Sequence, residues 1–389
     1  MTVTAVDPLP IQVHVPSNAA ALPGTAATDM APQRDMPAAA PGVSSPIKIE
    51  TLDSNDPTAC ARWDRFVQSC PQASFFHRAG WQRVISSSFG HRTHYLQAFQ
   101  GHDLCGVLPL AHVQSRLFGS SLTSLPFGSY GGIASNNTGA QALLQASAVA
   151  LAERLQVDHL ELRNIQRQQD WPTQDLYVAF KRAIPAVLDE KMLCIPQKRR
   201  NMVRKAQKLG LRAVAEDTVD NFFPVFAENA RDHGTPTLPK RYFEALKAEF
   251  GNDCRILSIY TASGVCISSI LCFFHKGEVL AYYAGERPQA RGTAANDLKY
   301  WEVMKWAQAH GCHSFDLGRS KKGSGSFDFK RLWGFEPEQL HYQYHLLKRQ
   351  TIPQNNPNNP KYRLLIHTWQ KLPLPLANWI GPWVVRSLG

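Results

Sequence analysis

The sequence predicts an α/β (α+β) protein: two tandem domains with mixed central sheets, set between an Ala/Pro-rich N-terminal tail and an amphipathic C-terminal tail. Three observations carry this. Short apolar strand signals alternate with helix-type apolar stripes along residues 47–350. The order of these signals, helices, hairpin, long helix and short strand, occurs once before residue 185 and again after it. Finally, HLELR at 159–163 and SFDLGR at 314–319 each follow a long helix and hold equivalent places.

Composition limits the function classes. A chain of 389 residues, 44% hydrophobic and 10% aromatic, has material for two or three domains with sizeable cores. Lys and Arg number 42 against 31 for Asp and Glu, a net charge of +11, which favours an acidic partner: RNA, a nucleotide-linked substrate or an anionic bilayer. The eight cysteines form neither a CxxC pair nor a Cys/His metal spacing, so no metal site is expected and the thiols read as reduced.

In chain order, residues 1–46 are Ala, Pro, Ser and Thr with few charges, a composition that does not offset the entropy of folding and predicts disorder. They lack the basic start and long apolar stretch of an export signal, which places the protein in the cytoplasm. The first domain, 47–185, opens a helix at Asn55-Asp56-Pro57 with Trp63, Phe66, Val67 and Cys70 as its core stripe, and a second helix spans 80–88. A hairpin turns at Gly101 to Asp103. PFGSYGGI at 126–133, with three glycines, reads either as backbone approaching a ligand or as a plain turn. A helix over 138–156 leads into HLELR.

The second domain, 186–350, starts with a basic helix between Pro196 and Gly210. Lys198, Arg199, Arg200, Arg204, Lys205 and Lys208 place six positive charges in eleven residues without an acid. Their mutual repulsion points to phosphate, RNA or anionic-lipid contact; a solvated linker helix is the other reading. Helices over 218–232 and 239–250, strands over 254–261, 265–275 and 278–284, and a helix over 296–309 then lead into SFDLGR. From Asp316 to Gly334 the chain reads DLGRSKKGSGSFDFKRLWG. A strand running into a loop with Gly323 and Gly325, with Arg319, Lys321 and Lys322, and then Phe329-Lys330 and Trp333, is suited to hold an anionic substrate beside a reacting carbonyl. The first repeat continues as NIQRQQDWP, so chemistry is expected in the second.

KRRNMVRKAQKLGL between the repeats and FDLGRSKKGSGSFDFKRLWGFEP near the end give the chain a family resemblance. It is similar to the GNAT acyltransferase fold in tandem form, as in the FemAB-type aminoacyl-tRNA-dependent transferases, and resembles the FemAB-related branch that accompanies exosortase (PEP-CTERM) exopolysaccharide systems. The resemblance covers residues 47–389 and implies two tandem GNAT-like domains, 47–185 and 186–350, and transfer of an activated acyl group to an amine of a cell-envelope precursor. It implies aminoacyl-tRNA or acyl-CoA/acyl carrier as co-substrate, with no tightly bound cofactor. It also implies that Lys330 meets the oxyanion or the donor's ribose and phosphate, with Phe329 packing on the donor. Asp316 would take the amine proton, or else pair with Arg319 as a strand-end carboxylate. Arg319, Ser320, Ser324 and the loop amides would hold phosphate or carboxylate oxygens, with Lys321, Lys322, Gly323 and Trp333 around them. QARGTA at 289–294 fits the Q-x-x-G-x-A pattern that cradles a CoA pyrophosphate, which keeps acyl-CoA open as donor. Tyr282, Tyr283, Glu286 and Asn296 border the same cleft.

The tail, 351–389, carries Trp369, Trp379 and Trp383 among apolar residues with basic flanks, and Pro373, Pro375 and Pro382 prevent it from spanning a bilayer. It is expected either to lie in the interface of the inner membrane or to dock on the protein body.

Overall fold

The computed structural model describes residues 45–115, 119–353 and 360–387. Residues 1–44 of the expected disordered tail and the linker residues 355–359 lie outside them. In the first repeat, β1 (Ile47–Thr51), α1 (Pro57–Ser69), α2 (Gly80–Phe89), β2 (Arg92–Gln100), β3 (Asp103–Ser115), β4 (Gly119–Ser124), β5 (Ala134–Ser135), α3 (Thr138–Arg154) and β6 (His159–Asn164) are followed by β7 (Thr173–Gln174) and β8 (Tyr177–Ala183). In the second come α4 (Gln197–Lys208), β9 (Arg212–Glu216), α5 (Phe222–Asp232), α6 (Lys240–Phe250), β10 (Cys254–Tyr260), β11 (Cys266–His275), β12 (Glu278–Glu286), α7 (Ala295–Ala309), β13 (Ser314–Lys321), α8 (Gly325–Leu332), β14 (Pro337–Gln339) and β15 (His341–Leu346). The tail forms α9 (Pro360–Gln370) and α10 (Leu374–Val385). Local chemistry sets several of these ends: Asp56 caps α1 through the amides of Thr58 and Ala59 with Pro57 as first helical residue, and Asn137 caps α3.

The two sheets have matching orders. The first runs β1-β2-β3-β4-β6-β15-β7 with β5 on β3, and the second runs β14-β8-β13-β12-β11-β10-β9. Each is mixed, its parallel pair being β4 with β6 or β12 with β13 and its remaining pairs antiparallel. The repeats exchange strands: β8, which precedes residue 185, pairs with β13 and β14 in the second sheet, while β15 pairs with β6 and β7 in the first. The boundary expected near residue 185 therefore does not separate the sheets, and residues 45–389 form one compact unit.

Three cores follow from this arrangement. α3 covers one face of the first sheet through Leu144, Ala148 and Leu151 against Leu108, Leu122 and Leu160. α4 and α7 cover the second through Val203, Leu298, Trp301 and Met304 against Ile270 and Phe315. The third lies between the repeats, where Trp63, Phe75, Phe76 and Trp81 of the first meet Phe250, Phe273 and Tyr282 of the second. Here Phe75 stacks on Phe273 at 4.3 Å, and the Trp63 and Trp81 indoles donate to the carbonyls of His77 and Phe75. Burial of these large rings binds the repeats together.

One expected element differs. The long loop expected after Leu317 is a strand to Lys321 and a helix from Gly325, with three residues between. Strand pairing continues because Leu317 and Gly318 bulge out together opposite Phe180, and the helix starts early because the Ser324 hydroxyl accepts from the Phe327 amide.

Candidate active site

The site forms where β12 and β13 part. They pair in parallel only from Glu278 with Ser314 to Leu280 with Asp316. Beyond that point β12 carries an extra residue, Tyr282, relative to β11, and β13 bulges at Gly318. Gly318 has φ +65°, a conformation that a side chain disfavours. The bulge turns its amide onto its own strand, where it donates to Asp316 Oδ1 at 2.6 Å.

Asp316 is 2% exposed. Besides Gly318 it accepts from the Tyr130 hydroxyl at 3.3 Å. Burial, reinforced by the nearby Glu278 charge, pushes its carboxyl up to about 7 against the opposing pull of the Gly318 amide, Lys181 and Lys330. Arg319 does not pair with it: the guanidinium donates to the Tyr342 hydroxyl at 2.9 Å and lies 4.6 Å over the Tyr177 ring.

Lys330 is buried, not solvent-exposed. Its Nζ donates to the carbonyls of Gly318 and Arg319, each at 3.1 Å, and sits 5.4 Å from the Phe180 ring centre. Burial brings the ammonium down to about 8, with Asp316 opposing. Asp316 and Lys330 thus hold the two successive peptide groups that flank the Gly318 Cα, Asp316 through the Gly318 N–H and Lys330 through the Gly318 C=O, and their environments draw an acid and a base toward neutrality from opposite sides. An ammonium has three N–H donors, so one remains for a ligand oxygen.

The wall facing Asp316 comes from the first repeat. Residues 125–133 lie against the split strands: the Tyr282 hydroxyl donates to the Phe127 carbonyl at 2.8 Å, and the Tyr342 hydroxyl donates to the Ser129 carbonyl at 2.7 Å. Gly131 and Gly132 donate to the Arg163 carbonyl, and a Cβ on Gly132 would fall 1.9 Å from Asn164 Oδ1. PFGSYGGI is therefore packed against the split strands, and it brings Tyr130, which the sequence did not single out, to the Asp316 carboxyl. Arg163, at the end of HLELR, donates to Glu161 and to the carbonyls of Leu125 and Gly128, and lies 5.7 Å from the Tyr342 ring, as Arg319 does at 5.6 Å. The equivalence of HLELR and SFDLGR was the signal that would have found it.

Other expected site residues fall in several places. Tyr283 is half-buried with its hydroxyl on Tyr242 at 2.8 Å, and Asn296 is half-buried in the first turn of α7. Phe329 packs on Tyr300 at 5.4 Å. Lys321 is half-buried and Lys322 and Gly323 are exposed at the rim. Three assignments need correction. Trp333 is fully buried and its indole donates to Asp297 at 3.0 Å, so it fastens α8 to α7 and faces no ligand. The Ser324 hydroxyl is engaged internally, donating to the Lys321 carbonyl and capping α8 through the Phe327 amide, whereas Ser320, which only accepts from Ser326, is left as expected. Arg199 belongs to the interior: it pairs with Asp297 at 3.0 Å, because the inner face of α4 rests on α7. Lys198, Arg204, Lys205 and Lys208 are exposed and Arg200 is half-buried.

Gln289 to Ala294 connects β12 to the N-terminus of α7. Gly292 has φ +75° and Ala294 φ +61°, and Ala294 itself supplies no capping side chain. The Ala295 amide donates to the Thr293 hydroxyl at 3.3 Å, so the first amide of the helix is taken and only those after it could meet an anion. No cluster of His, Cys, Asp and Glu among the described residues is arranged to hold a metal ion.

Residues 197–331 match the model of the acetyltransferase (GNAT) domain. The structure is similar to that of FemX, with a TM-score of 0.58 at 14% identity over 82% of this chain and all of that one. It is also similar to a tandem GNAT protein from the clavulanic acid biosynthesis pathway, at 0.52 and 12% over 79% and 100%. This chain has the tandem GNAT fold. The structure is also similar to that of L-PGS from Bacillus licheniformis, at 0.50 and 11% over 82% and 98%. No curated protein sequence matches the chain. In the tandem GNAT frame the split pair β12/β13, the 289–294 loop and α7 all belong to the second repeat, within the matched residues.

Proposed function

We propose that the protein is a cytoplasmic N-acyltransferase or aminoacyltransferase that passes an activated acyl group to an amine of a cell-envelope or exopolysaccharide precursor, in the manner of FemAB-like enzymes. The observation that carries the reading is the Asp316–Gly318–Lys330 arrangement: a carboxyl near 7 and an ammonium near 8 on the backbone of one residue where a strand pair splits.

In this mechanism the acceptor amine attacks the donor carbonyl, and the new C–N bond forms as the donor's C–O or C–S bond breaks. The ammonium proton passes to the Asp316 carboxylate, and the leaving oxygen or sulfur takes a proton in turn. The free N–H of Lys330 faces the developing oxyanion, a role worth roughly 10² to 10³ in rate. Tyr130 releases Asp316 as the amine arrives. Arg319, beside Tyr342, provides positive charge for an anionic acceptor, with Lys321 and Lys322 at the rim.

Aminoacyl-tRNA is the donor that the FemAB resemblance favours, with Lys198, Arg204 and Lys205 on the outer face of α4 toward its phosphates. Acyl-CoA or an acyl carrier is the second reading, and the N-terminus of α7 behind Gln289 to Ala294, where Ala294 has no capping side chain and only the Ala295 amide is taken by Thr293, supports it. The deciding experiment incubates the purified protein with envelope precursors and each donor class and measures the acceptor's intact mass. Gain of an amino-acid residue supports the first, gain of an acyl group the second. No gain with any donor, together with normal cellular function of the Asp316→Asn variant, leaves a non-catalytic module that binds anionic precursors.

A further inference from the structure

We propose that α10 is an interfacial anchor that seats the protein on an anionic bilayer through one stripe, Leu376, Trp379 and Trp383. The tail is docked, not loose. Ala377 and Gly381 are buried, and a Cβ on Gly381 would lie 2.9 Å from the Thr237 amide nitrogen, so this face of α10 meets the body at backbone contact. Gln370 donates to the Asp232 carbonyl, and the His91 ring meets the Arg386 carbonyl at 3.0 Å.

Docking by the small residues forces the large ones outward. Trp379 is 71% and Trp383 69% exposed, Leu376 is 39% exposed, and their i, i+3, i+7 spacing puts them on one side of the helix. Leu365 of α9, at 65%, is a further exposed apolar side chain of the tail. Residues 374–385 contain no charge, while exposed Lys371 and Arg386 stand at the two ends of the helix. Tryptophans bordered by cations match the headgroup layer, where the indole is half in hydrocarbon and the cation meets lipid phosphate. At twelve residues α10 is about 18 Å long and lies in the interface; among the described residues no helix is long and apolar enough to cross a membrane. A second copy of the chain is the competing occupant, and the net charge of +11 opposes it while favouring an acidic surface.

α10 rests on α5, and Phe226 of α5 packs edge-on to Tyr283 of β12 at 6.0 Å. One helix thus separates the anchor from the split strands, which suits a lipid-linked acceptor; this last step rests on the proposed function, whereas the anchor does not.

The test is flotation of the full chain with vesicles of phosphatidylcholine alone or mixed with phosphatidylglycerol, without donor or acceptor. The wild type is expected to float with the anionic vesicles and about tenfold less with the neutral ones. The W379S/W383S variant is expected to lose about tenfold or more, with its melting temperature unchanged because both rings are exposed. Failure of the wild type to float, equal flotation of the variant, or a wild-type dimer that the variant abolishes would each overturn the anchor. A chain that floats and transfers nothing refutes the proposed function alone; one that acylates soluble acceptors and never floats refutes the anchor alone.

Discussion

Asp316→Asn separates the proposed mechanism from a purely structural carboxylate. Burial carries this group from an ordinary 3.8 to about 7, so between those values the unfolded chain binds fewer protons than the folded one. Stability from this group is therefore full below about 4, falls as pH rises through 7, and is then level. At about 1.4 kcal/mol per pH unit, the cost of ionising Asp316 in the fold is roughly 1.7 kcal/mol at pH 5 and roughly 4 kcal/mol at pH 8. Asparagine does not ionise, so the stability of the variant relative to wild type should rise by about 2.5 kcal/mol from pH 5 to pH 8, read from urea unfolding at both values. Turnover should move the opposite way. Wild-type kcat/KM should follow a narrow bell with its acid limb near 7 from Asp316 and its alkaline limb near 8 from Lys330, and the variant should lose the acid limb and roughly 10² to 10⁴ in rate. A relative stability that is flat with pH, or an asparagine variant that turns over normally, would refute the reasoning.

Three further outcomes follow. Lys330→Met leaves the Gly318 and Arg319 carbonyls without their donor, so it should cost about 2 kcal/mol and remove the alkaline limb; full turnover in a folded variant contradicts the role given to Lys330. Arg199→Ala strips buried Asp297 of its cation and should cost about 3 kcal/mol, whereas Arg204→Ala, Lys205→Ala and Lys208→Ala together should change stability by no more than about 1 kcal/mol. If that outer face binds tRNA, the triple variant should flatten the salt dependence of binding by about three charges, and an unchanged slope argues against it. Gly318→Ala, at φ +65°, should cost about 1 kcal/mol or more and shift the acid limb upward by displacing the amide from Asp316; an unmoved limb would show that this amide does not set the carboxyl.

The repeat was legible because each copy writes the same local signals, and the second ends in a recognisable run of glycines and cations. The strand exchange was not. Nothing local in YVAFKRA at 177–183 states which sheet completes its hydrogen bonds, since edge pairing is decided by the partner strand that the whole fold supplies. The fate of side chains in the site was hidden for the same reason. Trp333 and Arg199 look like ligand contacts in sequence because one is aromatic and the other basic, yet both converge on Asp297, an acid in the first turn of α7 that lies 36 residues before Trp333 and 98 after Arg199. Tyr130 was within reach: three glycines about an aromatic ring marked the loop, but its target, Asp316, lies 186 residues away.

A single inserted residue explains why the acid at this strand position is paired with an arginine in the first repeat and not in the second. Glu161 and Asp316 hold the same place, each the last residue of its parallel pairing, opposite Thr123 and Leu280. In HLELR the arginine follows two residues after the acid, on the same face of the strand, and Arg163 pairs with Glu161 at 2.9 Å. In SFDLGR the extra Gly318 puts Arg319 three residues on; the bulge restores the pairing of β13 with β8 but breaks the acid from the cation. Asp316 takes the Gly318 amide instead, and Arg319 goes to Tyr342, which the exchanged strand β15 delivers between the repeats. It follows that Arg319→Ala should leave the acid limb near 7 while weakening binding of an anionic acceptor, seen as a raised KM with little change in kcat. A strong upward move of that limb would mean that Arg319 does hold Asp316 ionised, and the inserted glycine would then not account for the difference between the repeats.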